Sequence, residues 1–307
     1  MKNLSIIIPH YNSVPMLLKL IDSIPLSSDA TEDFEVIIVD DKSTDSLDEV
    51  RVKISNYSNV ILLCNESNCK GAGVCRNIGI DASNSKWILF ADADDFFTEN
   101  FFKEISRFFD SRNDIIYFKV SSIDLTTNDT SDRHIYPNSL IDNYRDRSSK
   151  KNELLLKYNW IVPWGRMIKS SLIKENKLEF DRTIVSNDIM FSTKVGYKAS
   201  SINISEEVIY CVTKSKGSLT TTFNQENYYI RSRKKIESFK FLKDHLSINE
   251  LKQIDNYAFN FLYVGWRDYN ISLIQLLKLS LDYKRESFPI FPSIKKIISI
   301  IKKHSVS

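Results

Sequence analysis

Cysteine and histidine are both scarce, four of each in 307 residues, and that scarcity excludes two classes of protein. Cys64, Cys69, Cys75 and Cys211 make no C-x-x-C pair, and so few histidines leave no zinc-ligand spacing. Free thiols at this density fit a reducing compartment. Long apolar runs are missing too: nothing approaches the roughly 18 consecutive apolar residues a membrane span needs. The apolar stretch after Lys2 is about five residues, too short for a secretory leader. There are no internal repeats and no low-complexity tracts. Gly71, Gly73 and Gly79 do not form a dinucleotide fingerprint, because Gly79 falls too late in the turn. These absences leave the expectation of a cytoplasmic protein, at most peripheral on the inner face of a membrane.

What is present is ordinary in bulk and uneven in detail. A hydrophobic content of 42% with 26% charged residues describes a globular chain, long enough for one large domain or two packed ones. The net charge of +3 hides an asymmetry. From Tyr228 onward 15 Lys and Arg stand against 7 Asp and Glu, whereas the residues before it carry 27 against 32. A surplus of positive charge at one end suggests an anionic partner, with membrane and nucleic acid the usual two.

The first 120 residues alternate between apolar runs and helix-period segments. Leu4 to Pro9, Phe34 to Asp41, Val60 to Leu63, Trp87 to Phe90 and Ile115 to Val120 read as buried strands. Val14 to Ile24, Ser46 to Ile54, Gly71 to Ala82 and Glu99 to Phe109 read as the helices between them, with Pro15 suited to a first turn. That alternation predicts an α/β fold around a doubly wound, mostly parallel, Rossmann-like sheet. Ligands in such sheets bind beyond the carboxyl ends of the strands, and that edge gathers Tyr11, Asn12, Asp40, Asp41, Asp92, Asp94 and Asp95. Ser121 to Ser149 turns polar without a period and reads as a long loop or poorly formed hairpin. Lys150 to Tyr158 and Asp188 to Ala199 read as helices, the latter with Met190 or Phe191, Val195 and Ala199 inward. Val208 to Thr213 reads as a strand and Lys214 to Thr222 as a mobile loop. After Asn227 the chain becomes a helical extension, with long segments near Tyr228 to Leu246 and Asn249 to Tyr283 and a breaker at Phe288 to Pro292.

The most informative stretch is WILFADADD, Trp87 to Asp95, where a buried strand ends in three carboxylates. Such crowding calls for a cation between them, although an acidic turn capping the next helix would use the same residues. Other motifs stand in order around it: SIIIPHYN (Ser5 to Asn12), VDDKSTD (Val39 to Asp45), GAGVCRNIGI (Gly71 to Ile80), PWGRMIK (Pro163 to Lys169) and SND (Ser186 to Asp188). Together they resemble glycosyltransferase family 2, inverting nucleotide-diphosphosugar transferases of the GT-A fold, over roughly Lys2 to Thr222. The sequence departs from that family's pattern at Lys42, where a Gly is usual, at Cys75, where Ala is usual, and at Asn187, where Glu is usual.

The resemblance implies a role for each residue. Residues 1–120 become the nucleotide-sugar half, 121–225 the acceptor half and 226–307 the helical extension. Pro9, Tyr11, Asp40, Asp41, Arg76 and Asp92 become the nucleotide contacts. Tyr11 stacks on the base, since aromatic faces bind bases without a fixed hydrogen-bond code, Asp41 accepts the uracil imide and Asp40 meets the ribose. Arg76 faces the diphosphate. Asp94, with Asp92, becomes the ligand of Mn²⁺ or Mg²⁺, hard cations that bridge carboxylate and phosphate oxygens. Asp188 becomes the general base that takes the acceptor hydroxyl's proton. Asp95, Trp164, Arg166 and Asn187 become donor-sugar or acceptor contacts, with Trp160 and Lys169 alongside, although an aromatic core cluster would use the residues from Trp160 to Lys169 equally well. Lys214 and Lys216 sit in a loop that could close over the diphosphate. The expected partners are a UDP-sugar and a glycan or lipid-linked glycan, not nucleic acid.

Ser293 to His304 places Ile294, Ile297, Ile298 and Ile301 on one helical face with lysines around it. This is the pattern of an interfacial helix on anionic lipid, with packing on the same chain or a dimer contact as the alternatives. Two rivals to the transferase reading stand: a sugar nucleotidyltransferase, which would need a Gly- and Arg-rich first loop, and a glycan-binding relative without catalysis, which Asn187 motivates.

Overall fold

Ile6, Ile7 and Ile8 are completely buried, and that settles how the first strand sits: it is covered on both faces. Ile6 and Ile8 join one apolar cluster and Ile7 the other, as the two-residue period of a strand requires. The computed structural model describes residues 1–26, 32–215, 224–254, 256–295, 297–298 and 301. It divides into two units, residues 1–216 and 217–307.

The first unit runs β1 (Lys2–His10), α1 (Val14–Asp22), β2 (Phe34–Asp40), α2 (Asp48–Ile54), β3 (Val60–Cys64), α3 (Ala72–Ala82) and β4 (Ser85–Phe90). It continues with β5 (Phe96–Phe97), α4 (Phe101–Ser106), β6 (Ile115–Asp124), α5 (Ile135–Tyr144), α6 (Lys150–Asn159), β7 (Arg166–Lys169), α7 (Ser170–Glu175), α8 (Asp188–Lys198) and β8 (Ile202–Lys214). Among the described residues these strands form one eight-stranded sheet in the order β3-β2-β1-β4-β7-β6-β8-β5. The β3-β2-β1-β4 half is parallel throughout, as is the β6–β8 pair; β7 is antiparallel to both its neighbours. The predicted doubly wound, mostly parallel α/β sheet is therefore what the chain builds.

The chain winds from β1 through β2 to β3 in one direction, then returns to place β4 on the other side of β1. That reversal opens a crevice beyond the carboxyl ends of β1 and β4, where open α/β sheets bind ligands. Pro9 is compatible with its central strand because it lies past the last β1–β4 pair, Ile7 with Phe90, where no ladder N–H toward β4 is needed.

The structure corrects the reading of residues 121–149. β6 extends to Asp124, and a ten-residue helix, α5, buries Pro137, Leu140, Ile141 and Tyr144. Its proline falls in the first turn, where no intrahelical N–H is lost, and its apolar residues are diluted by polar outer positions.

The second unit contains α9 (Gln225–His245), α10 (Ile248–Gln253), α11 (Phe259–Arg267) and α12 (Leu273–Arg285). The expected helix from Asn249 to Tyr283 is three helices instead. Ser247 and Ser272 each start one through a capping box, with Glu250 and Gln275 reciprocating. Tyr228, Phe239, Ala258, Tyr269, Ile271, Leu279, Tyr283 and Phe288 form its core. Among the described residues no helix is long and apolar enough to cross a membrane.

Candidate active site

The loops after β1 and β2 are tied together. His10, buried at the end of β1, accepts the Ser13 N–H on Nε2 at 3.2 Å, which leaves its Nδ1–H to donate to Asp40 Oδ1 at 2.9 Å. Asp40 also accepts the Ser43 hydroxyl at 2.5 Å and the Ser43 N–H at 3.0 Å. Burial pushes the Asp40 carboxyl up, but Ser43 and His10 together hold it below the usual carboxylate range. Asn12 accepts the Thr44 N–H at 2.7 Å, so the two loops close on one another. Asn12 and Lys42 both take left-handed backbone, with φ of 45° and 61°. The glycine usual at position 42 would adopt that conformation freely; Lys42 bears strain there, and its ammonium donates to Ser67 O.

Asp41 is held on both oxygens. Asn65 donates to Oδ1 at 2.6 Å and the Gly71 N–H to Oδ2 at 2.7 Å. Gly71 does this at φ +123°, which a side chain would strain. Tyr11, in contrast, is 51% exposed, and Lys70 sits 5.0 Å from its ring centre.

On the other side of the crevice, the turn after β4 carries the acids. The Asp92 N–H donates to the Tyr210 hydroxyl at 2.8 Å. Asp95 is buried and accepts the Thr213 N–H at 2.7 Å, while Thr213 Oγ1 donates to Asp94 O at 2.7 Å. Burial pushes the Asp94 carboxyl upward and the Asp92 charge adds to that; Arg133 and Arg76 oppose it. Asp95 is raised further by burial and by Asp94 and Asp92. Two mutually repelling, half-buried carboxylates are what a divalent cation would relieve. Among the described residues no group of three or more His, Cys, Asp or Glu could hold a metal, so an ion held by Asp92 and Asp94 would need further ligands from outside these side chains.

Arg76 joins the two halves. From the first turns of α3 it donates to Asp92 Oδ1 at 2.5 Å and to Asn187 Oδ1 at 2.9 Å, with its guanidinium 5.2 Å from the Phe180 ring centre. α3 can come this close to the start of α8 because of Gly73: a Cβ there would lie 2.4 Å from Asp181 O and 2.8 Å from Asn187 Cβ. Asn187 also donates to Thr183 O at 3.3 Å. Asp188 follows as the first residue of α8. Burial pushes its carboxyl above the usual range; Arg76 and Arg166 hold it back, while Asp92 raises it further.

Behind this surface lies a support layer. Arg166 is fully buried, donating to Trp160 O at 3.2 Å and to Ser192 Oγ at 2.6 Å. Trp164 is buried with its ring stacked on Tyr210.

Residues 5–175, more than half of the chain, match the sequence pattern of glycosyl transferase family 2. The chain belongs to this family. Among curated relatives, poly(ribitol-phosphate) β-N-acetylglucosaminyltransferase TarS of Staphylococcus aureus is 26% identical over 220 residues, 71% of this chain and 36% of that protein. Poly(ribitol-phosphate) β-glucosyltransferase of Bacillus spizizenii is 31% identical over 216 residues, 67% of this chain and 31% of that protein. The chain thus spans about a third of the length of these relatives. The crystal structure of S. aureus TarS 1-349 in complex with UDP-GlcNAc superposes with a TM-score of 0.72 at 20% identity, covering 93% of this chain and 81% of that one. A mannosyltransferase of Pyrobaculum calidifontis, solved with GDP-Man and Mn²⁺, gives 0.55 at 14% identity, covering 99% of this chain and 80% of the other. The fold is that of GT-A enzymes, as the motif order implies.

Within this family-2 fold, the structure brings Tyr11, Asp40, Asp41, Arg76, Asp92, Asp94, Asn187 and Asp188 to the sheet's carboxyl edge. It does not bring Trp164 or Arg166 to a surface where a sugar could meet them. Trp164, just before β7, and Arg166, its first residue, are both buried in the core, and the Arg166 charge acts on Asp188 only electrostatically. Asp95 is enclosed by Thr213 and Tyr210 instead of facing a sugar. Lys169 donates to Arg112 O at 2.5 Å, away from this edge, and Lys214 lies 3.7 Å from Asp124. Lys216 falls outside the described residues. Residues to which the motifs gave no role are His10, Asn65, Tyr210 and Arg133, the last donating to Thr213 O at 2.5 Å. Each reaches the site from its own segment, and only His10, inside SIIIPHYN, carried any local signal.

Proposed function

We propose that this chain is an inverting glycosyltransferase moving a sugar from a UDP-sugar to a hydroxyl of a polysaccharide or lipid-linked oligosaccharide. The Arg76 bridge carries the reading: one guanidinium ties the acidic turn after β4 to the start of α8, so Asp92, Asp94 and Asp188 share a site. The exposed face of Tyr11 would receive the uracil, with Asp41, positioned by Asn65 and Gly71, at its imide edge. Asp94, with Asp92, would hold Mn²⁺ or Mg²⁺, which supplies Lewis-acid neutralisation of the departing diphosphate when bound. Arg133 adds positive charge on the same side. Asp188 would accept the acceptor hydroxyl's proton as the new bond forms, and a carboxyl raised by burial is a better base than an exposed aspartate. A single base on the face opposite the leaving group gives inversion.

The substrates of the relatives direct the test. UDP release would be measured with UDP-GlcNAc, UDP-glucose and further UDP-sugars, with Mn²⁺ and with poly(ribitol-phosphate) among the acceptors. We expect acceptor-dependent release that needs the metal and that Asp94→Ala abolishes. No release with any donor, while UDP still binds, would leave a glycan-binding relative as the better reading.

A further inference from the structure

α12 has two apolar faces where a surface helix needs one. Leu279 and Tyr283 turn inward and join the core of the second unit, with Leu276 packed against it. On the opposite side Leu273, Ile274, Leu277 and Leu281 are 68%, 69%, 65% and 54% exposed. At 100° per residue these four fall within about one quarter of the helix circumference. A contiguous stripe of four large aliphatic side chains is more than a scatter of single exposed residues and marks an interaction surface.

Charge identifies the partner. Lys284 projects within the arc of the stripe, and Arg285 and Lys278 border it. All three are exposed, and the one acid of the helix, Asp282, lies further round and pairs with Arg285 at 3.0 Å. Downstream the same composition returns: Phe291, Ile294, Ile298 and Ile301 are exposed, and Ser287 to Ser307 holds four lysines and no acid. A second copy of this chain would set like-charged stripes against each other. An anionic bilayer takes the aliphatic side chains into its interface and the basic ones at its headgroups. We propose that the outer face of α12 is a docking surface for anionic lipid.

The test uses the full chain with vesicles of phosphatidylcholine alone or with about 30% phosphatidylglycerol, the range in which basic residues add affinity. Binding to the mixed vesicles is expected, weak on phosphatidylcholine alone and weakened by salt. Leu277→Gln with Leu281→Gln should lower partitioning at least tenfold, with far-UV circular dichroism and melting temperature unchanged, because both side chains already face water. Replacing Lys278, Lys284 and Arg285 by Gln one at a time should cost roughly fivefold each on anionic vesicles. Vesicle binding equal in parent and leucine variants would overturn the proposal. So would no binding to either vesicle, or a dimer in sedimentation equilibrium that the leucine changes convert to monomer.

Discussion

Arg76→Met separates two roles for one arginine: diphosphate ligand, as the family resemblance implies, or internal tie, as its contacts suggest. Methionine keeps the unbranched stem but removes three interactions. The charge-assisted bond to Asp92 contributes about 1.5 kcal/mol, the low end for such bonds because the Asp92 side chain is 30% exposed. The bond to Asn187 adds about 1 kcal/mol, and the guanidinium–Phe180 contact roughly 0.5 kcal/mol. The expected loss is therefore about 3 kcal/mol, read from urea unfolding of the full chain. UDP affinity, measured by calorimetry, should change less than about fivefold. A diphosphate ligand would behave the opposite way: stability within about 1 kcal/mol of the parent and UDP binding weakened more than tenfold. That second outcome would refute the tie. Arg76→Lys should recover less than half of the loss, because one ammonium cannot span Asp92 and Asn187 in the fork geometry.

Three further outcomes follow from single contacts. Gly73→Ala should destabilise by about 2 to 3 kcal/mol in chemical denaturation and lower transfer as well, since the new Cβ meets Asp181 O and displaces Asn187. Lys42→Gly should raise the melting temperature, relieving roughly 1 kcal/mol of left-handed strain less whatever the Lys42–Ser67 bond contributes. Asp188→Asn should lower transfer by about 10² to 10⁴, the usual span for a lost general base. It should also stabilise the protein near neutral pH: burial raises this carboxyl in the fold, so its charge opposes folding above the raised pKa. The advantage should shrink as pH falls through that value and vanish in the ordinary aspartate range; a variant no more stable than the parent at pH 7 would remove the burial argument.

The sheet was legible because β1, β2, β4 and the start of β6 are buried on both faces and so announce themselves as apolar runs. Asp40, Asp41, Asp92 and Asp94 were legible for the same reason, each sitting where such a run stops. Residues whose role depends on a distant partner were not. Tyr210 reaches Asp92 across 118 positions, and Arg76 reaches Asn187 across 111. The segment around Trp164 and Arg166 was open between an acceptor contact and an aromatic core cluster, because so short a stretch carries no period to separate the two, and the structure buries both residues. Residues 121–149 misled because a proline and a polar outer face obscured the buried stripe of α5.

Asn187 was the departure that put catalysis in question, and its contacts turn it into a testable asset. Its Oδ1 does for Arg76 what one carboxylate oxygen would do, and its amide donates to Thr183 O, which no carboxylate could. The larger consequence is electrostatic. Arg76 is the foremost group holding the Asp188 carboxyl down against burial. A glutamate at 187 would claim that positive charge and add a negative one next to Asp188. Asn187→Glu should therefore move the acid limb of the pH–rate profile to higher pH, by roughly half a unit or more. The neutral, equally long Asn187→Gln controls for crowding against the position that Gly73 leaves open: it should lower the rate without moving the limb. If both variants leave the limb in place, Arg76 does not tune Asp188, and the base must be sought elsewhere along the same edge.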